Sequence, residues 1–220
     1  MIKENLTMSK AQNVIEFYML CNKLKNIVRT GWLDWGVDRE RVESIAEHVF
    51  GTQMLAVSMW SEFGYNIDIK KVLCMLAVHE LEETVIGDLT MFQIDKKTKA
   101  EMGHKAVKEI LSKLSGGATF EELILEFDEK QTPEAQFAYQ CDKLECDIQC
   151  KAYDEEGCVD LLHQEKNNTA KNAEVKQLLE SGKTWSEMWM TFGQQRYNYD
   201  PNFEEVSTYA MTNPINKKGK

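Results

Sequence analysis

Proline and glycine are scarce in this 220-residue chain, with 3 Pro and 12 Gly. A β-sandwich needs frequent turn signals, so the scarcity excludes a many-turned sandwich. Long apolar runs are absent too. No stretch of 18 apolar residues occurs, and no membrane partner is expected. The opening MIKENLTMSK lacks the apolar segment of a signal peptide. Basic residues are in deficit, 26 Lys+Arg against 36 Asp+Glu, a formal charge of −10. That removes the footprint of a nucleic-acid polymer binder, which needs clustered Lys and Arg to neutralise phosphates. It leaves room for a small anionic substrate in a locally basic pocket. Only 4 His are present, few for a site built from imidazole alone.

The apolar content is 43%, with 10% aromatics, which is too high for a disordered chain and sufficient for one core at this length. The six cysteines, Cys21, Cys74, Cys141, Cys146, Cys150 and Cys158, form no C-x-x-C pair. Without a secretion signal they read as reduced thiols in a cytoplasmic protein, packed as small apolar residues.

The dominant periodicity is helical, and helix-start signals recur. Ser9-x-x-Gln12 precedes apolar residues at helical spacing from Val14 to Leu24, and Gly31 breaks that pattern. Ser44-x-x-Glu47 is a capping box opening a helix to about Phe63, stopped at Gly64. Asp68 caps a helix expected over 69–86 and ended by Gly87. Further helices are expected over about 95–114, from Thr119, and from Thr132-Pro133 to about Tyr153. Two stretches are expected between Val159 and Leu179, and a last helix after Thr184-x-x-Glu187. The aromatics from Trp185 to Phe203 read as a helix and strap on the core rather than a ligand cage, and the tail from Asn213 as frayed. No window alternates with period two long enough to demand a strand.

Three segments carry metal-competent side chains: Glu47-His48, His79-Glu80-Leu81-Glu82-Glu83, and Asp142. On a continuous helix His79 and Glu83 share a face and Glu80 lies about 100° round. His48 and Asp142, from two other helices, complete a shell of two histidines and two carboxylates. Nitrogen with oxygen donors suits Mn, Fe, Co, Ni or Zn better than Mg. Acids on a half-buried helix need a partner, and a cation supplies one. Glu82 reads as solvated. His79-Glu80-x-x-Glu83 also falls one histidine short of the H-E-x-x-H metalloprotease helix. A second metal would need His104 and His163, so one ion is expected.

Arg29-Thr30-Gly31-Trp32, then Glu43-Ser44 to His48, His79-Glu80 to Glu83, Gly87-Asp88-Leu89 and Asp142-Lys143, taken in order, resemble the HD superfamily. Within it the pattern is similar to the small all-helical 5′-deoxynucleotidase branch, over about residues 9–153. The resemblance implies an all-α, compact multi-helix bundle over residues 1–155 with a C-terminal helical extension, 156–220, packed on the same core. It implies metal ligands at His48, His79, Glu80 and Asp142. It implies catalytic carboxylates at Glu83 and Asp88, a phosphate contact at Arg29 and a neighbouring substrate-binding aromatic at Trp32. The activity implied is removal of phosphate from deoxynucleoside 5′-monophosphates with one divalent transition metal (Co, Mn, Ni, Zn or Fe), in a homodimer. One departure stands out. The usual His-Asp doublet is His79-Glu80 here, which keeps the charge and adds a methylene. The alternatives are a deoxynucleoside triphosphate hydrolase and a non-catalytic nucleotide- or metal-binding module. A (p)ppGpp hydrolase fits less well, because Thr84 stands where that branch has an Asp. Lys143 is a further candidate phosphate contact, and Ser44 reads as a cap.

Overall fold

A computed structural model describes residues 9–90 and 93–216. Met1–Met8 and Lys217–Lys220 lie outside the described residues, and so do most of the opening segment and the end of the tail expected to fray. Among the described residues the chain is all helix apart from turns and one isolated antiparallel bridge, Val28 to Ser44. None of these helices is long and apolar enough to cross a membrane.

The chain begins with α1 (Lys10–Cys21), whose Ser9 side chain accepts from the Gln12 amide, followed by a 3₁₀ turn (Asn22–Asn26). A short α2 (Thr30–Asp34) follows the bridge. The Arg29 amide donates to the Glu43 carbonyl and the Ile45 amide to the Ile27 carbonyl. These bonds tether Arg29 to the start of α3 (Ile45–Phe63). The Ser44/Glu47 capping box forms there, and Gly64 closes α3 at φ 67°, a left-handed conformation natural to glycine. Then come α4 (Ile69–Val78), capped by Asp68, α5 (Glu83–Ile86), α6 (Lys96–Leu111), capped by Asp95, and α7 (Gly117–Glu129). The long α8 (Pro133–Glu156) is capped by Thr132 with Pro133 at the first helical position. The chain ends with α9 (Ala173–Glu180), α10 (Trp185–Gln194) and α11 (Pro201–Thr212).

The axis of the fold is α8, which packs against α3, α4, α7, α10 and α11. Its faces divide the core. One cluster joins Met59, Met75, Leu76, Cys141, Leu144 and Phe203. A second joins Trp32, Trp35, Cys150, Tyr153, Trp185 and Met188, and a third, between α6 and α7, joins Leu81, Val107, Ile110, Leu111 and Ile124. Cys141 and Cys150 are fully buried, as small apolar residues should be.

Four expectations change. The helix expected over 69–86 breaks at 79–82. There the amides of Leu81, Glu83 and Thr84 bond three residues back, and the Thr84 hydroxyl donates to the Leu81 carbonyl. These tighter bonds end α4 and rotate the next turn of chain relative to it. The helix expected from Thr119 starts at Gly117, where a Cβ would collide with the Leu111 carbonyl. Of the two stretches expected between Val159 and Leu179, only α9 forms. Asn167, buried, turns the chain ahead of it by accepting from the Thr169 and Ala170 amides. The strap ends in α11, capped by Asp200, whose side chain accepts from the Asn202 and Phe203 amides.

Candidate metal centre

His48, His79, Glu80 and Asp142 converge, each offering one donor atom, with all four atoms within 4.8 Å of one another. His48 projects from α3 one turn after the cap, and Asp142 from the middle of α8. His79 and Glu80 sit at the break after α4. Glu80 Oε1 lies 3.5 Å from His79 Nε2 and 3.7 Å from His48 Nε2. The longer side chain thus folds its carboxylate back into the cluster.

The protonation pattern suits a cation. His79 Nδ1 donates to the Leu76 carbonyl (2.8 Å), so the neutral ring keeps its lone pair on Nε2. That Nε2 is buried and has no hydrogen-bond partner. Burial lowers the His79 pKa and outweighs the nearby carboxylates. An orphaned imidazole nitrogen among two carboxylates and a second imidazole needs an electrophile, and the donor set fits one divalent cation. Asp142 Oδ1 meets His48 Nε2 (3.1 Å) and Oδ2 meets Lys143 Nζ (2.7 Å). Burial and Arg29 push His48 down, yet Glu145 and Asp142 outweigh them and hold it at about 9 in the metal-free protein. Glu80 sits at about 2, because His79, Arg29 and His48 overcome its burial.

Around the four donors lies a ring of charge. Arg29 places Nη1 3.2 Å from Glu80 Oε1 and donates Nη2 to Cys146 Sγ (3.1 Å). Glu83 does not join the donors. With the helix broken it turns toward α6, 1% exposed, with Oε1 accepting from Lys99 Nζ (3.2 Å) and Oε2 lacking a partner. Burial, reinforced by Glu80 and Asp88, raises its pKa to about 10 against the pull of Lys99 and Arg29. The Asp88 carboxylate accepts from the Thr30 amide (2.6 Å), and the Thr30 hydroxyl donates to the Asp88 carbonyl (2.6 Å).

Trp32 is a correction. It is 2% exposed, donates Nε1 to Glu43 Oε2 (2.7 Å), and packs on Tyr153, Trp185 and Trp189. Its indole, expected beside the substrate, is packed into a core cluster. Glu82 is a second correction. Its Oε2 is buried without a partner, and burial raises its pKa to about 8. His104 and His163 pair with Asp128 and Asp160 respectively and add nothing to the cluster.

Sequence reasoning missed three groups. Glu145 accepts from His48 Nδ1 (2.5 Å) and so aims Nε2 at the cluster. Its signal was present, since Asp142, Glu145 and Cys146 share one face of α8 at i, i+3 and i+4. Cys146 borders the site at Arg29 instead of filling the core. Lys99 left no signal on a helix that carries several lysines.

An HD domain family model matches residues 21–185, and the chain belongs to that family. It is 34% identical over 152 residues to a 5′-deoxynucleotidase, HDDC2, of Dictyostelium discoideum, covering 66% of this chain and 79% of the relative. It is 29% identical over 153 residues to a 5′-deoxynucleotidase of Schizosaccharomyces pombe, covering 66% and 75%. Among solved structures, a protein of Pyrococcus horikoshii superposes with a TM-score of 0.65 at 26% identity, covering 89% of this chain and 97% of that one.

Proposed function

We propose that the protein is a metal-dependent phosphohydrolase that removes phosphate from deoxynucleoside 5′-monophosphates. The observation that carries this reading is the unpartnered, buried His79 Nε2 inside a two-histidine, two-carboxylate cluster. Membership of the HD domain family and the names of the relatives support the substrate class. His48, His79, Glu80 and Asp142 hold one divalent transition metal. When bound, such an ion neutralises phosphate oxygens and acidifies water. The chain's residues supply the rest. Arg29 offers a planar fork to non-bridging phosphate oxygens. Glu83, protonated at neutral pH, carries its proton on the free Oε2 and delivers it to the leaving 5′-oxygen as the phosphorus–oxygen bond breaks. Asp88 anchors the Thr30 amide beside Arg29 and is the remaining carboxylate able to orient water.

The reading includes a homodimer in the cytoplasm. Six unpaired cysteines are in keeping with the compartment. A face of α1 and α3 supports the dimer. No residue of α1 is buried, and Val14, Ile15, Tyr18 and Met19 are exposed on it. On α3, Phe50, Met54, Val57 and Trp60 are exposed, and no charged residue stands between His48 and Glu62. The two helices flank one groove of about 170 Å³ whose lining is mostly apolar, with Tyr18, Leu24, Ala46 and Val49, and includes Asn22 and Lys25.

The test is phosphate release from deoxynucleoside mono- and triphosphates with Mn, Co, Ni, Zn and Mg. Release from monophosphates with a transition metal is expected. No release with any metal refutes the reading, and release from triphosphates alone moves the substrate class.

A further inference from the structure

One ammonium group bonds the Glu83 carboxyl and the backbone next to Asp88. Lys99 lies in the first turn of α6, a helix that contributes no metal donor. Its Nζ donates to Glu83 Oε1 (3.2 Å) and to the Leu89 carbonyl (2.9 Å). Leu89 directly follows Asp88, whose carboxylate and carbonyl both bond Thr30, the neighbour of Arg29. Glu83 is almost wholly buried, whereas the Lys99 side chain is 30% exposed. A lysine has no need of this geometry for its own solvation. It bends inward from a lysine-rich helix whose Lys97 side chain is 86% exposed and pairs only with Glu101.

We propose that Lys99 is a positioning residue for the reaction. It occupies Glu83 Oε1, so the transferable proton rides on Oε2, and it pins the turn that presents Asp88 and, through Thr30, Arg29. The proposal rests on the phosphohydrolase reading. Its physical basis is the acceptor count. A neutral carboxyl has one O–H, and an oxygen already accepting from an ammonium is the poorer place for that proton. Oε2, buried and free of partners, is the better one.

The charged groups facing Glu83 come from four places: Glu80 at the 79–82 break, Asp88 after α5, Lys99 on α6 and Arg29 ahead of α2. Two are anionic and two cationic. Deleting Lys99 removes one cation, so Glu83 holds its proton to higher pH. With Glu83 as acid, activity falls as pH rises through its pKa, and that alkaline limb moves upward in the variant.

The experiment compares Lys99→Met, Lys99→Arg and the control Lys97→Met. Phosphate release from a deoxynucleoside monophosphate with Mn²⁺ is followed across the pH range, and metal content is measured in each protein. Carbon-13 NMR follows the Glu83 carboxyl titration in metal-free protein. Lys99→Met is expected to lower kcat on the order of 10–100-fold, the scale of a misplaced reacting group, with KM within about 3-fold. Its metal content stays at the wild-type level, its alkaline limb and its Glu83 titration both move up, and Lys99→Arg recovers most of the loss. An unmoved Glu83 titration overturns the proposal, even if the wild type hydrolyses nucleotides. So does a kcat loss with an unmoved limb, or a loss of metal from Lys99→Met, either of which marks a merely structural lysine. Absence of hydrolysis by the wild type, with the Glu83 titration still shifted, refutes the phosphohydrolase reading while leaving the carboxyl-positioning role measured.

Discussion

At the residue scale, Glu80 and Glu83 sit three positions apart and have opposite electrostatics. Glu80 is ionised, held at about 2 by His79, Arg29 and His48 despite burial. Glu83 is held protonated, near 10, because burial is reinforced by Glu80 and Asp88. In the proposed mechanism, two carboxylates driven apart in this way divide into a ligand and an acid. Glu83→Gln keeps shape and neutrality but cannot release a proton. It is expected to cut kcat on the order of 10²–10⁴-fold, with metal content unchanged by elemental analysis. Retention of wild-type kcat would remove Glu83 from the mechanism. Glu80→Asp addresses the departure from the family's doublet. Glu80 Oε1 reaches both histidines and Arg29 because of its extra methylene. Shortening it is expected to weaken metal affinity by about 10–100-fold, measured by competition with a chelator. Tighter binding in the variant overturns the view that this pocket is built around Glu.

At the element scale, the site depends on how closely α3 and α8 approach. Gly51 sits one turn after His48, and a Cβ there would run into the Glu145 carboxylate, the group that orients His48. Gly51→Ala therefore leaves the helix intact, even favoured by intrinsic propensity, while pushing Glu145 off His48 Nδ1. Metal affinity is expected to drop about 10-fold or more while the helical circular dichroism signal stays unchanged. Equal affinity would show that Glu145 has room to relax. The same helices show what the chain makes legible. Caps at Ser9, Ser44, Asp68, Thr132 and Thr184 are local signals, readable because a side chain two or three residues away satisfies the helix end. The four donors were legible because their order along the chain is distinctive. Asp200-Pro201 is the same kind of start signal as Thr132-Pro133, and the tyrosines before it obscured α11. The break at 79–82 was not legible, since its cause is the set of three-residue bonds around Leu81 and Thr84 in an otherwise helical pattern. Lys99 and the burial of Trp32 depend on contacts between distant segments, which no local pattern encodes.

At the scale of the whole molecule, two properties emerge that no single element carries. The first is the proposed association. In a chain with net charge −10, like-charged copies meet most readily where charge is sparse, and the α3 stretch between His48 and Glu62 carries none. Sedimentation is expected to give twice 25.4 kDa for the wild type and a monomer for the double variant Phe50→Glu, Met54→Glu. A monomeric wild type refutes the dimer. The second is the dependence of stability on pH. Burial raises Glu43 to about 7, aided by Glu145, Glu82 to about 8, aided by Glu80, and Glu83 to about 10, all from 4.5. His48 stands at about 9 instead of 6.5, because its carboxylate partners outweigh burial. Every one of these is a raised pKa, so each contribution is full below the unfolded value and is lost as pH climbs toward the folded one. Glu80 and Asp142 have the opposite sign: their contributions are full above the unfolded carboxyl range and disappear in acid. Metal-free protein is therefore most stable near the unfolded carboxyl range, about pH 4 to 5, and loses stability steadily toward about pH 10. A cation reverses part of this trend, because it needs His48 neutral and the carboxylates ionised, and its binding strengthens as protons leave. Thermal melts across this range, with chelator and with Mn²⁺, are expected to diverge as pH rises, the chelated curve falling and the metal-loaded one holding. A chelated melting temperature that is flat or rises from pH 6 to pH 9 contradicts the protonation states assigned to His48 and Glu83 together.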